Sequence, residues 1–152
     1  AIDTDELRAV AQEIKDAGVK LLEENLVQGT WGNIAVRLND KEMMATPSAL
    51  DYVMLKPEQM AIVDMESMEW RGSNKPTSEK GVHAAILKMH PESKVTVHTS
   101  GTPWLVKNVA AAIGDAPACI IASHGIVVRG KDMDEAFKIC RALEDACRAY
   151  LS

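Results

Sequence analysis

Aromatic side chains are scarce in this sequence: one Phe, two Tyr and three Trp make up 4% of its 152 residues. Eight methionines take up that role, and a Met-rich core is expected rather than a Met-lined cofactor site. Cysteine is almost as rare. Cys119, Cys140 and Cys147 are odd in number and form no CxxC pair, which excludes a disulfide framework and reads as reduced thiols. Cys140 and Cys147 lie seven apart in a helical stretch, on one face, and are expected to pack against the core. No basic tract exists that could follow a nucleic-acid backbone, and 17 basic residues face 22 acidic ones for a net charge of -5. No apolar run approaches the ~20 residues of a membrane span. The opening AIDTDELR lacks the basic start and apolar stretch of a secretory signal. The expectation is therefore a cytoplasmic protein with no nucleic-acid or membrane partner.

What is present is ordinary globular usage, 47% apolar and 26% charged. The length suits a single domain, residues 1–152, that buries roughly two thirds of the surface of its unfolded chain. Leu7, Val10, Ala11, Ile14, Leu21 and Leu22 follow a mostly helical spacing and predict a helix from about Thr4 to Asn25, capped by Asp3 or Thr4. Ile34 to Leu38 alternates as a strand, Asn39-Asp40 signals a turn, and Glu42 to Ala45 returns as the hairpin partner. Met60 to Met65 reads as a further strand, with Met68 to Arg71 pairing back. Thr77 or Ser78 caps a helix to about Met89, ended by Pro91. Lys94 to His98 is a strand, Thr102 caps a helix over Pro103 to Ile113, and Ala118 to Ala122 and Ile126 to Arg129 are strands flanking His124-Gly125. Asp132 caps a last helix reaching Tyr150. Hairpin-joined strands with helices around them predict an α/β sandwich whose central sheet is largely antiparallel and helix-covered.

Four histidines carry most of the available chemistry. His98 ends the apolar strand VTVH, and His124 sits between two apolar strands. Strand ends beside glycine present ligands to a cleft well, and zinc takes neutral imidazole readily. Spacing alone leaves two readings open, a shared metal or two separately hydrogen-bonded rings. Glu79 opens a helix, where a carboxylate either caps and meets the dipole or, beside a substrate, acts as a general base. His83 lies four residues on, so that Glu79 and His83 can pair. His90, before Pro91, suits an exposed helix end. Three polar loops remain: GTWGN (29–33), TPSAL (46–50) and PTSE (76–79). Each is an ordinary turn by itself, yet together they could cradle a phosphate through backbone donors and a helix start.

These pieces, in this order, resemble the class II aldolase/adducin family, which includes L-fuculose-1-phosphate-aldolase-like sugar-phosphate aldolases. GTWGNIAVR and TPSAL look like its phosphate loops, the second with Ala49 where glycine is usual. KPTSE looks like the segment with two phosphate-binding hydroxyls and the catalytic glutamate. VTVHTS and ASHGIVVRGKDMDEAF look like the zinc-histidine segments. The resemblance implies Glu79 as the catalytic acid/base. It places phosphate or polar substrate contacts at Thr30, Asn33, Ser48, Thr77 and Ser78, and one zinc per chain on His98 and His124. It implies retro-aldol cleavage of a small sugar phosphate through a metal-stabilised enediolate, in a homotetramer. Related members are epimerases or dehydratases, and a non-catalytic member would be an adducin-like assembly domain that has lost its metal.

Two departures stand out. The family's His-x-His is here His98-Thr99-Ser100, and a hydroxyl is a poor zinc ligand. The long connection that the family places after that motif is also missing near 99–101. Either the chain has lost it, or the sequence is joined there across absent residues.

Overall fold

The computed structural model describes residues 2–27, 32–99, 118–121 and 125–151, with side chains described at 2–27, 32–99 and 127–143. Helix α1 spans Asp5–Glu23. Thr4 caps it, its Oγ1 accepting from Leu7 N at 3.2 Å, and Asp5 and Glu6 lie in its first turn. It ends where Asn25 turns left-handed, with Leu26 N donating to Leu21 O and Asn25 N to Leu22 O.

The strands are β1 (Asn33–Arg37), β2 (Glu42–Ala45), β3 (Ala61–Asp64), β4 (Trp70–Arg71), β5 (Val95–Thr99), β6 (Ala118–Ile121) and β7 (Gly125–Gly130). They form an antiparallel sheet in the order β4-β3-β2-β1-β5-β7-β6. Helices α2 (Lys80–Met89) and α3 (Met133–Leu151) and a 3₁₀ turn at Pro57–Gln59 complete the described elements. The helix expected over Pro103 to Ile113 lies outside the described residues.

The antiparallel, helix-covered sheet agrees with the sequence reading, with differences at element ends. The return strand β4 is only Trp70–Arg71 because the chain is still turning at Met68, which has φ 65°. The Asp64 carboxylate accepts from Glu66 N and Ser67 N, and this holds the turn open. Asn39 plays the same part between β1 and β2, its Oδ1 accepting from Lys41 N and Glu42 N. Helix α2 starts later than expected. Glu79 occupies its cap position, and the Thr77 hydroxyl accepts from Glu79 N at 3.2 Å just before it. Asp132 does cap α3, accepting from Glu135 N at 2.8 Å.

Alternation along β1 and β5 separates two faces. Ile34, Val36, Val95 and Val97 pack with Ile14 and Leu21 of α1 and with Phe137 and Cys140 of α3. Ala35 faces the other way, with Met43, Ala45, Val63, Ala84 and Leu87, beneath α2. Cys140 is buried as expected, while the side chains of Cys119 and Cys147 are outside those described. On the α2 face, one end of the two central strands is polar: Asn33, Thr96 and His98 stand where apolar residues would otherwise continue the core. That end positions the site.

Candidate active site

Pairing between β1 and β5 sets Asn33 opposite His98. The two phosphate-loop candidates at 46–50 and 76–79 meet at the same place. Pro47 bridges Pro76, Ser48 N donates to Lys75 O at 2.9 Å, and Thr77 N donates to Thr46 O at 2.9 Å. The Thr46 hydroxyl accepts from Ile34 N at 3.2 Å, which ties this loop pair to β1. The fold thus gathers Asn33, Ser48, Thr77, Ser78, Glu79 and His98, separated by up to 65 residues in sequence, at one end of the sheet. Ser48 and Ser78 are exposed there, whereas Thr77 is buried and its hydroxyl supports the start of α2.

Glu79 decides the character of this end. Although it holds the helix cap position, its carboxylate makes no capping bond. Oε2 instead accepts from Asn33 Nδ2 at 2.7 Å and contacts Nδ1 of His98. The Asn33 amide also lies 3.3 Å from His98 Nδ1. The His98 side chain is buried, at 4% exposure, while Glu79 keeps 24% and so opens to solvent on one side. A carboxylate drawn away from a vacant capping role towards an imidazole is placed for chemistry on a bound molecule.

The expected pairing of Glu79 with His83 is not made. His83 is fully buried and turns under the sheet, where Nε2 contacts Asn33 Oδ1 and Nδ1 lies 2.5 Å from Thr96 Oγ1. Burial, with the neighbouring His98 as a lesser cause, pushes its pKa down to about 3, so the ring is neutral. The sequence reading missed Thr96 and the inward role of His83. A polar residue two before His98 in an otherwise apolar strand was the available signal. His90 lies at the end of α2 near Glu92, half-buried rather than exposed as expected.

His124 and Thr30 lie outside the described residues. The ends of the connection that carries His124 are described. Ile126 pairs with Thr99, so the β7 end adjoins the end of β5 that carries His98, and Ile121 pairs with Gly125 one strand further out. Among the described residues no group of three metal-binding side chains is assembled. His98 and Glu79 nevertheless supply an imidazole and a carboxylate in contact, a donor set that suits zinc.

A family model described as Class II Aldolase and Adducin N-terminal domain matches residues 12–106 and 99–151. The chain belongs to that family. A 5-methylthioribulose-1-phosphate/5-deoxyribulose-1-phosphate aldolase of Rhodospirillum rubrum is 27% identical over 179 aligned residues, covering 93% of this chain and 80% of that one. A 3-oxo-tetronate 4-phosphate decarboxylase of Haemophilus influenzae is 23% identical, over 89% of this chain and 83% of the relative. An L-ribulose-5-phosphate 4-epimerase of Salmonella paratyphi C is 29% identical over 63% of this chain and 42% of its own length. The fold is also that of a sugar-phosphate aldolase from Thermotoga maritima, with a TM-score of 0.79 at 19% identity, covering 96% of this chain and 95% of that structure. Members of the class II aldolase family thus include aldolases, a decarboxylase and an epimerase. No helix among the described residues is long and apolar enough to cross a membrane.

Proposed function

We propose that this class II aldolase family chain is a zinc-dependent aldolase that cleaves a small sugar phosphate by retro-aldol chemistry. The observation that carries the reading is the placement of Glu79, which forgoes its helix cap and is held by Asn33 against His98. Zinc on His98 and His124, one ion per chain, would supply Lewis acidity towards the charge that develops as the carbon–carbon bond breaks. Glu79 moves a proton to and from the carbon that carries that charge, and its half-open position lets it reach a substrate. Ser48 and Ser78 are exposed on the bridged loops and, with Thr77 and Thr30, would hold the phosphate. Asn33 is a polar contact of a different kind, because its amide is taken up by Glu79 and His83. Local groups must do this capture, since the net charge of -5 repels an anion at long range.

Relatives named as an epimerase and a decarboxylase favour, as the second reading, a related reaction at the same site. We further propose a single domain over 1–152 with either a deletion of the family connection or a join across absent residues near 99–101. The Rhodospirillum alignment spans 179 positions but takes in only 93% of this chain, so many positions of that relative face no residue here. The two family matches likewise meet and overlap at 99–106. A homotetramer in the cytoplasm completes the proposal.

Metal content per chain, measured after exhaustive buffer exchange, tests the reading together with cleavage of ketose 1-phosphates by the wild type and Glu79→Gln. About one zinc per chain is expected, with turnover that falls at least about a hundredfold in the variant while its melting temperature holds. A folded wild-type protein that takes up no zinc would sink the metal-dependent reading and favour the adducin-like binding domain.

A further inference from the structure

We infer that His83 is a positioning residue for Glu79, acting through Asn33 without touching the reacting atoms. The inference rests on the assignment of Glu79 to the site and goes beyond it by saying what holds the carboxylate in place.

Hydrogen-bond polarity fixes how each of these groups is turned. Asn33 Nδ2 donates to Glu79 Oε2 at 2.7 Å, so the amide nitrogen faces the carboxylate. Were the amide turned over, its oxygen would face the carboxylate at that distance, and two acceptors would repel. The Asn33 oxygen therefore faces His83, and His83 Nε2 must carry the hydrogen and donate to it. The ring is neutral, so its Nδ1 is an acceptor, and it takes the Thr96 hydroxyl hydrogen across 2.5 Å. The direction of every bond follows: Thr96 Oγ1 to His83 Nδ1, His83 Nε2 to Asn33 Oδ1, and Asn33 Nδ2 to Glu79 Oε2.

Burial gives this chain of bonds its stiffness. His83 and Thr96 have no solvent exposure, and Asn33 keeps 8%. Water does not replace a broken bond there, and an unmet polar group costs its full desolvation. The four groups also sit on three separately anchored elements: His83 on α2 with Glu79 at its cap, Asn33 on β1 and Thr96 on β5. Asn33 can turn its amide only by leaving His83 unpaired. An asparagine with a free oxygen would have two amide orientations; the one beside His83 has one. The donor aimed at Glu79 is thereby permanent. The arrangement resembles the outer hydrogen bonds that orient ligands in polar sites, where loss of one partner loosens the group it holds.

The test compares wild type, His83→Leu and His83→Gln, each confirmed folded by thermal melting. Two readouts are taken: solvent exchange of the Asn33 side-chain amide by NMR, and kcat and KM for ketose 1-phosphate cleavage. In His83→Leu the Asn33 amide should exchange at least tenfold faster. kcat should fall between about ten- and a hundredfold with KM changed less than about threefold. Gln can offer its own N–H to Asn33 Oδ1, so His83→Gln should recover most of both losses. Unchanged amide exchange in a folded His83→Leu would overturn the inference, as would unchanged kcat in an active enzyme. If the wild type cleaves no sugar phosphate, the aldolase reading fails and the exchange result alone decides the role of His83. If His83→Leu does not fold, the ring nitrogen shifts of the wild type decide it. The Nε2–H tautomer is expected, and an Nδ1–H tautomer would overturn the bond directions.

Discussion

Ala49 shows how a single residue can be at odds with its backbone. It stands in the TPSAL loop at φ 58°, a left-handed conformation that an L side chain with a Cβ adopts at a cost of about 1 kcal/mol. Glycine takes it without that cost. Ala49→Gly should therefore raise stability despite the added freedom of the unfolded chain, by up to about 1 kcal/mol, seen as a melting temperature higher by roughly 2–4 °C. A lower melting temperature would mean that the Ala49 methyl contributes packing that outweighs the strain. Glu79 is the opposite case, a residue whose local role is left vacant. Its position in the sequence announced a helix start, and the sequence left open whether the carboxylate capped that helix or did chemistry. The bond from Asn33 and the contact with His98 depend on strands far away in the chain, so no local pattern could have chosen between the two.

Among the elements, α2 matters most, because it delivers both Glu79 and His83. Its far end is fixed by Arg37 of β1. That guanidinium donates to the carbonyls of Leu87 and of Ser93 (3.1 Å), with Nε also on Ser93 at 3.2 Å. A cation at a helix C-terminus satisfies orphan carbonyls and meets the negative end of the dipole. Arg37→Met keeps the aliphatic stem but leaves those carbonyls unmet. We expect a loss of about 2 kcal/mol in a denaturant titration. Because α2 carries Glu79, activity should also fall before the protein unfolds. A variant with wild-type stability would show that water replaces the guanidinium at no cost. The strands themselves were legible from alternation, turn signals and short apolar runs. Their ends were not, because Asp64 and Asn39 decide them through side-chain bonds to turn amides.

For the whole molecule, the buried neutral His83 links stability to acid. Its pKa falls from 6.5 in the unfolded chain to about 3 in the fold, so the unfolded state binds the proton more readily. The stabilising contribution is complete above about pH 6.5 and is lost progressively as pH falls towards 3. Over that window stability should drop on the order of 1 kcal/mol per pH unit from this group. Denaturation midpoints between pH 7 and pH 4 measure it, with His83→Leu as the control that flattens the slope. Equal slopes in the two proteins would assign the acid sensitivity to carboxylates such as Glu24, held low mainly by its hydrogen bond from Arg141.

What the sequence determined by itself was local or periodic. Apolar spacing marks α1, a cap marks α3, alternation marks β1 and β5, a turn signal and a short apolar run mark β2 and β3, and short polar loops in a fixed order carry the family resemblance. Those signals lie within a few residues of one another, where helix and strand periods act. Tertiary structure decided which polar groups meet. Asn33, His83, Thr96 and His98 come together through the register of β1 on β5 and the packing of α2 across them, and neither is written in any one segment. The pairing of Glu79 with His98 rather than His83 follows from the same cause. Burial favours the one arrangement in which every donor finds an acceptor, and only the assembled sheet and helix determine which groups are buried together.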